Sequence, residues 1–187
     1  MTTSTINRSE TRSTWTLDPA HTLVEFAAKH LMITTVKGRF ADVSGTIRID
    51  DARPSASSVE AVIKAASIDT RTDQRDTHLK SADFLEVERY PDITFKSTVV
   101  ESAGDKRYRV TGDLTIHGVT KAVVLDVTEE GRTKDPWGGE RVGFSATTRI
   151  DRRDFGLTWN QLIESGGLVV GNEIRITLEV EASKTTS

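Results

Sequence analysis

The chain has no cysteine among its 187 residues, which excludes disulfides and thiol chemistry and removes any need for an oxidising compartment. It has no large excess of either charge: Lys and Arg number 25 against 28 Asp and Glu, for a net charge of -3. So weak a field gives no footing for nucleic acid or an anionic membrane surface, and no nucleic-acid partner is expected. No run approaches the roughly 18 apolar residues of a membrane span, so no stable membrane insertion is expected and any lipid is met as a ligand. Residues 1–13 are rich in Thr and Ser, carry Arg8 and Arg12, and lack the continuous apolar core of a secretory signal. They read as a disordered polar tail, and the protein as cytoplasmic. No shift of composition divides the middle of the chain, so one domain is expected over residues 14–183, followed by a second short tail at 184–187.

What the chain does have is alternation. The hydrophobic share of 36% is low for a solid globule but suits a single-layer barrel in which every second residue faces inward. Val24, Phe26 and Ala28 share one face of an expected strand over residues 22–31. Residues 37–49 start with Gly38 and Phe40 in one phase and end with Gly45, Ile47 and Ile49 in the other, which predicts a bulge or bend near Asp42 to Ser44. Further strands are expected at 57–66, 92–101, 107–116, 119–129, 142–150 and 173–182, with a short one at 15–18. His117-Gly118 has the spacing of a tight hairpin, with His117 exposed at its tip. Thr158-Trp159-Asn160-Gln161, followed by Gly166-Gly167, predicts a short helical turn in the loop before the last strand. Mostly sequential antiparallel strands favour a closed up-and-down barrel, since closure leaves no unpaired edge, with a two-sheet sandwich as the alternative.

One charged stretch interrupts the alternation between Ala65 and Ile93. It predicts a short helical flap over the sheet, capped at Thr72 or Asp73, with Leu79 and Phe84 turned inward and Pro91 returning the chain to an extended conformation. Its Ser67-Ile68-Asp69-Thr70, Arg75-Asp76-x-His78-Leu79, Ser81-x-Asp83-Phe84 and Tyr90-Pro91-x-Ile93-x-Phe95 resemble the signature of the YceI-like family. Leu17-Asp18-Pro19-Ala20-His21-Thr22, Gly112-x-Leu114-Thr115-Ile116-x-Gly118-Val119-Thr120-Lys121 and Asp154-Phe155-Gly156-Leu157 extend the resemblance from Trp15 to about Ala182. The resemblance implies an all-β fold, an eight-stranded antiparallel lipocalin-like barrel with a short helical flap between strands. It further implies binding of polyisoprenoids or related amphiphiles, and a homodimer.

Rival chemistries have little to stand on. Asp76-x-His78 is the most enzyme-like pair, because a carboxylate that orients an imidazole is half of a nucleophilic triad, and it would serve a lipid hydrolase or isomerase. The spacing sends the two side chains to different faces, however, and no Gly-x-Ser-x-Gly elbow accompanies them. They read as members of the flap's own polar network, so no catalysis is expected. His21, His30, His78 and His117 show no ligand spacing along one element, and neither a metal nor a cofactor is expected. Arg152-Arg153 with Asp154-Phe155-Gly156 superficially suggests phosphate or kinase chemistry, but the other kinase elements are missing; the run reads as a strand end and a bend.

The inward set expected to meet a ligand is Val24, Phe26, Ala28, Ile47, Ala61, Ile63, Ala65, Phe95, Leu114, Leu125, Phe144, Ala146 and Ile176, with Phe84 from the flap. It is apolar and uncharged, and small residues recur among the large. An eight-stranded barrel is at the size where its interior is either just filled or holds one small ligand. On the residues alone, a packed barrel serving as an interaction module and a hollow one stand even. The resemblance favours a hollow lumen holding a polyisoprenoid or, second, a fatty-acid-like chain. Strand runs of ten to thirteen residues give walls of roughly 30 to 40 Å, with the ligand's polar head near one mouth.

Overall fold

An alternating chain closes into a wall once each strand finds an antiparallel neighbour on both sides. In the computed structural model, which describes residues 12–185, the strands are β1 (Arg12–Leu17), β2 (Leu23–His30), β3 (Thr34–Phe40), β4 (Val43–Asp50), β5 (Ser58–Lys64), β6 (Ile68–Asp69), β7 (Asp92–Gly104), β8 (Arg107–Ile116), β9 (Val119–Lys134), β10 (Glu140–Asp151) and β11 (Val170–Lys184). The α-helix among these residues is α1 (Asp73–Lys80). No helix among them is long and apolar enough to cross a membrane.

Two pairs of strands are halves of longer ones. A 3-10 turn at Pro19–His21 separates β1 from β2, where proline removes a ladder donor and the Asp18 carboxylate accepts the Ala20 N–H at 2.9 Å. β3 and β4 are separated by a bend at Ala41–Asp42, beside the position that the phase change requires. β1 pairs with β4 and β2 with β3, while β1 and β2 share β11 as their other neighbour. Through β4, β5, β7, β8, β9, β10 and β11 the ladder returns to β1, giving a closed eight-stranded antiparallel barrel; the two-residue β6 lies beside β3. The sandwich alternative is thereby set aside.

The barrel has two unlike ends. The flap (residues 65–91), the β8–β9 turn and the β10–β11 connection gather at one, here the flap end; the β4–β5, β7–β8 and β9–β10 connections gather at the other, the loop end. Phe155, Ile68, Leu85 and Ile116 are buried together at the flap end, while Trp15, Leu17, Val142 and Ala182 pack solidly against the β1 side of the wall.

Three local expectations need correction. Arg12 and Ser13 belong to β1, paired with Asp50 and Ile49, and at the other terminus Lys184 pairs with Trp15 while the Thr185 N–H donates to the Thr14 carbonyl at 2.7 Å. Ladder bonds order these polar residues without apolar surface, helped by an Arg12–Asp50 ion pair at 3.0 Å. The rest of the expected tails, 1–11 and 186–187, lies outside the described residues. His117 is not exposed: it is half-buried beneath the flap, on a turn where its φ of 53° and the 71° of Gly118 match a tight hairpin. The helical turn occurs at Arg152–Phe155, not at 158–161, because the Asn160 side chain grips the Val170 backbone from both sides instead of capping a helix.

Glycine shapes the interior at two places. The Phe26 ring occupies the space where a Cβ of Gly38 would lie, and the Phe95 ring does the same over Gly112, whose Cβ would also come within 2.7 Å of the Lys96 carbonyl oxygen. Both rings therefore lie against the wall. Gly38→Ala and Gly112→Ala should each cost about 1 to 3 kcal/mol as overpacking, lowering Tm by about 2 to 4 °C per kcal/mol in thermal denaturation.

Candidate functional site

The interior of the barrel is a cavity of about 370 Å³. Every residue expected to face a ligand borders it except Ala65, from Val24, Phe26 and Ala28 on β2 to Ile176 on β11. Ala65 is buried elsewhere, in a 3-10 turn (Ala65–Ser67) packed with Ile68 and Leu85: β5 ends at Lys64, so the strand alternation does not carry across to it. Leu79, expected to turn inward from the flap, borders the cavity too, whereas reasoning from the sequence missed Leu17, Phe40 and Val43, whose phase is obscured by the two strand breaks, and Leu85 of the flap. It also missed the charged ones, Arg152 together with Glu25, Asp50, Asp51 and Glu129.

α1 is polar apart from Leu79 and fully buries no residue of its own, so the flap owes its position mainly to what flanks the helix. Phe84 and Leu85 are buried and, with Leu79, border the cavity from above. Asp76 accepts from the Thr70 N–H at 2.9 Å and from the Thr70 hydroxyl, while Arg75 donates to the Thr70 hydroxyl at 2.7 Å and its carbonyl at 2.8 Å. The Thr72 side chain makes no capping bond, and this knot around Thr70 holds the start of the helix in its place. His78 Nε2 instead meets Asp83 at 2.8 Å, so Asp76 and His78 are committed to different partners. The His78 ring lies edge-on to Phe84 and to Trp159, with centroids 5.1 and 4.7 Å away, and Phe84 and Trp159 are 5.2 Å apart. This aromatic triangle joins the flap to the β10–β11 connection. On the opposite side, Glu86 meets His117 Nε2 at 3.3 Å and Tyr90 packs on the His117 ring.

The β10–β11 connection is built on its first residues. Asp151 accepts from the Arg153 guanidinium and the Arg153 N–H, and these bonds draw its pKa from 3.8 to about 2. Gly156 ends the 3-10 turn at a φ of 75°, a conformation natural to glycine. Between them Arg152 is 3% exposed. Its Nε donates to the Gly171 carbonyl at 3.0 Å and its Nη1 to the carbonyls of Leu157 and Trp159 at 2.7 and 2.8 Å.

Among the described residues, one group has metal-like geometry: Asp18, His21 and Glu181. Arg141 already occupies it, with Nη1 2.9 Å from Asp18 and 3.3 Å from Glu181. The hydrogen bond between His21 and Asp18 lowers the carboxyl's pKa and raises the imidazole's. The four histidines expected not to share a site are dispersed: His78 and His117 meet different carboxylates within the flap, and His21 lies in the turn between β1 and β2.

A family model of the YceI-like domain matches residues 15–182. The chain belongs to the YceI-like family. A UPF0312 protein of Pseudomonas putida strain F1 is 48% identical over 137 residues, covering 73% of this chain and 71% of that protein. The crystal structure of the Campylobacter jejuni YceI protein superposes with a TM-score of 0.72 at 38% identity, over 84% of this chain and 90% of the other. A polyisoprenoid-binding domain from Saccharophagus degradans, implicated in plant cell wall breakdown, shares the fold at a TM-score of 0.67 and 18% identity, over 91% of this chain and 98% of the other. The lipocalin-like barrel is thus a property of the YceI-like family that this chain shares.

Two measurements test the lid. Phe84→Ala removes a buried ring that touches both the cavity and Trp159; it should cost about 3 kcal/mol or more and accelerate exchange of an apolar fluorescent probe from the lumen. Unchanged stability and exchange would show that Phe84 does not hold the flap. For Asp151 the depressed folded pKa gives stability that is complete above the unfolded carboxyl value and is lost as pH falls through the folded one. Acid titration followed by Trp fluorescence should therefore show a loss between about pH 4 and 2 that Asp151→Asn flattens, at the expense of lower stability at pH 7.

Proposed function

We propose that this protein binds, and sequesters or carries, a long-chain amphiphile in its lumen, with a polyisoprenoid lipid as the first candidate and a fatty-acid-like chain as the second. The observation that carries the reading is an apolar cavity of about 370 Å³ inside a closed barrel, within the range of ligand sites. β7 to β11 are 10 to 16 residues long, so with the usual tilt the wall stands roughly 25 to 40 Å tall, a shape suited to a chain rather than a compact ring. Ala61 and Ala146 leave space on opposite parts of the wall, and Val24, Phe26, Ala28, Ile47, Ile63, Phe95, Leu114, Leu125, Phe144 and Ile176 would supply the apolar contacts. The S. degradans domain, described as polyisoprenoid-binding, supports the lipid class through a shared fold.

An enzymatic role for His78 and Asp76 has no geometric support, since each is held by a different partner within the flap. Native mass spectrometry of freshly purified protein, with lipid extraction, should release a stoichiometric long-chain species. Ala61→Trp and Ala146→Trp should fold with near-native stability when ligand-free and lose that species, because the indole takes the ligand's space; in a packed interior the same changes would be overpacking and cost about 1 to 3 kcal/mol. Retention of the lipid by both variants would remove these positions from the site.

A further inference from the structure

Arg152 is a charge in an apolar wall, and its bonding leaves part of it unused. Three of its N–H groups find carbonyls at 3.0 Å or less, those of Gly171, Leu157 and Trp159. The remaining nitrogen, Nη2, has a single partner, the Val170 carbonyl, at 3.4 Å, and that oxygen already accepts from Asn160 Nδ2 at 2.7 Å. A guanidinium offers five N–H donors, so Nη2 retains donor capacity where the side chain borders the cavity.

The charge is also uncompensated. Asp151, the nearest carboxylate in sequence, is bound to Arg153, and no carboxylate among the described residues lies within ion-pairing distance of Arg152. Burial pulls the Arg152 pKa below its ordinary value, with the Asp151 charge opposing from a distance. A guanidinium nevertheless remains protonated at neutral pH, so the lumen carries a fixed positive charge at its flap end. The loop end is the reverse. Asp50, Asp51 and Glu129 border the cavity there, and each is matched: Asp50 by Arg12 at 3.0 Å, Asp51 and Glu129 by Arg132 at 2.8 Å each. The three carbonyl bonds account for Arg152 as a strut under residues 157–171, but a strut has no need to present a charge to the cavity.

We propose that Arg152 anchors the head of the bound amphiphile, an oxyanion such as a carboxylate or a phosphate monoester, with the apolar tail running from the flap end toward the loop end. The inference rests on the lipid-binding reading above and adds the head group's chemistry and the orientation of the chain. The free Nη2 N–H suits an oxyanion because a charge-assisted hydrogen bond is roughly twice as strong as a neutral one, and a site closed to water strengthens the pairing. The head would lie under the flap beside Trp159, whose carbonyl Arg152 holds and whose ring holds Phe84, so that head binding and lid closure share one side chain.

The test is a displacement titration of an apolar fluorescent probe from lipid-stripped, full-length protein by hexadecanoic acid, hexadecyl phosphate, hexadecanol and hexadecylamine. The acid and the phosphate should bind at least about tenfold more tightly than the alcohol, the effect of roughly 1.4 kcal/mol, and the amine should bind most weakly. Arg152→Gln should abolish that gap, so that the acid, the phosphate and the alcohol bind within about twofold of one another. Equal affinity for acid and alcohol in the wild type, or a gap that survives in Arg152→Gln, would overturn the anchor while leaving lipid binding intact. Failure of all four to bind would overturn the lipid reading and this inference with it. Inorganic phosphate should not displace the probe; displacement by it would make Arg152 a site for a small free anion instead. Should Arg152→Gln not fold, carbon-13 NMR of carboxyl-labelled hexadecanoic acid in the wild type decides: the bound carboxyl should stay ionised well below the pH at which an ordinary one titrates, and an ordinary titration would overturn the anchor.

Discussion

The closing seam at β11 is the constraint on which the rest of this molecule depends. A sheet with free edges would leave rows of unpaired N–H and C=O groups, and eight strands can dispense with edges only if the last finds the first. Here the first strand is broken, and β11 spans the break: its residues from Val170 to Glu179 pair with β2 and those from Ala182 to Lys184 with β1. The turn at Pro19–His21 is what allows one continuous partner to serve two offset halves. Asp18, which caps that turn, is tied to Arg141 of β10, so the irregular part of the seam is fastened by charge where the ladder cannot fasten it.

Closure creates a difficulty at the centre. A cavity forgoes the dispersion contacts that would fill a packed core, so the wall must be stable by other means. Two devices are visible. The solid cluster around Trp15, Val142 and Ala182 concentrates close packing on one side of the barrel and leaves the rest of the wall free to face the cavity. Glycines 38 and 112 let the Phe26 and Phe95 rings fold onto neighbouring strands, which buries aromatic area without filling the axis. The flap completes the enclosure mainly with side chains from the segment after its helix, Phe84 and Leu85, while α1, otherwise polar, adds Leu79.

The parts of this arrangement that follow from side-chain period were legible in the sequence. Val24, Phe26, Ala61, Leu114 and Ala146 face the cavity because alternation within an unbroken strand fixes the face. Legibility failed where the period was interrupted. Ala65 continues the apolar phase of β5 on paper, but the chain has already turned into a 3-10 geometry by that residue. His117 looked like the tip of an exposed hairpin, since nothing local announces that Glu86 and Tyr90, some thirty residues earlier, will cover it. Asn160 resembles part of a helix cap and instead serves a backbone ten residues on, Val170, a contact that exists only after the β10–β11 connection has folded back.

Arg152 is the deepest of these failures and the most informative. Read along the chain, Arg152 and Arg153 are twins at the end of a strand, and a charge there suggests solvent. The structure separates them: Arg153 turns out to Asp151, and Arg152 turns in, to be solvated by backbone carbonyls in place of water. A buried guanidinium of this kind costs several kcal/mol to desolvate unless dipoles or an anion offset it, so an uncharged strut would serve stability better than a charged one. The carbonyls of Leu157, Trp159 and Gly171 offset part of that cost and fix the group's orientation. What they leave is a rigid donor at the flap end of a largely apolar tube whose loop-end carboxylates are already matched, and rigidity matters because a pre-oriented donor loses little further entropy when an acceptor arrives. The same residue that holds the β10–β11 connection in place therefore gives the lumen a direction, which alternation alone could not supply.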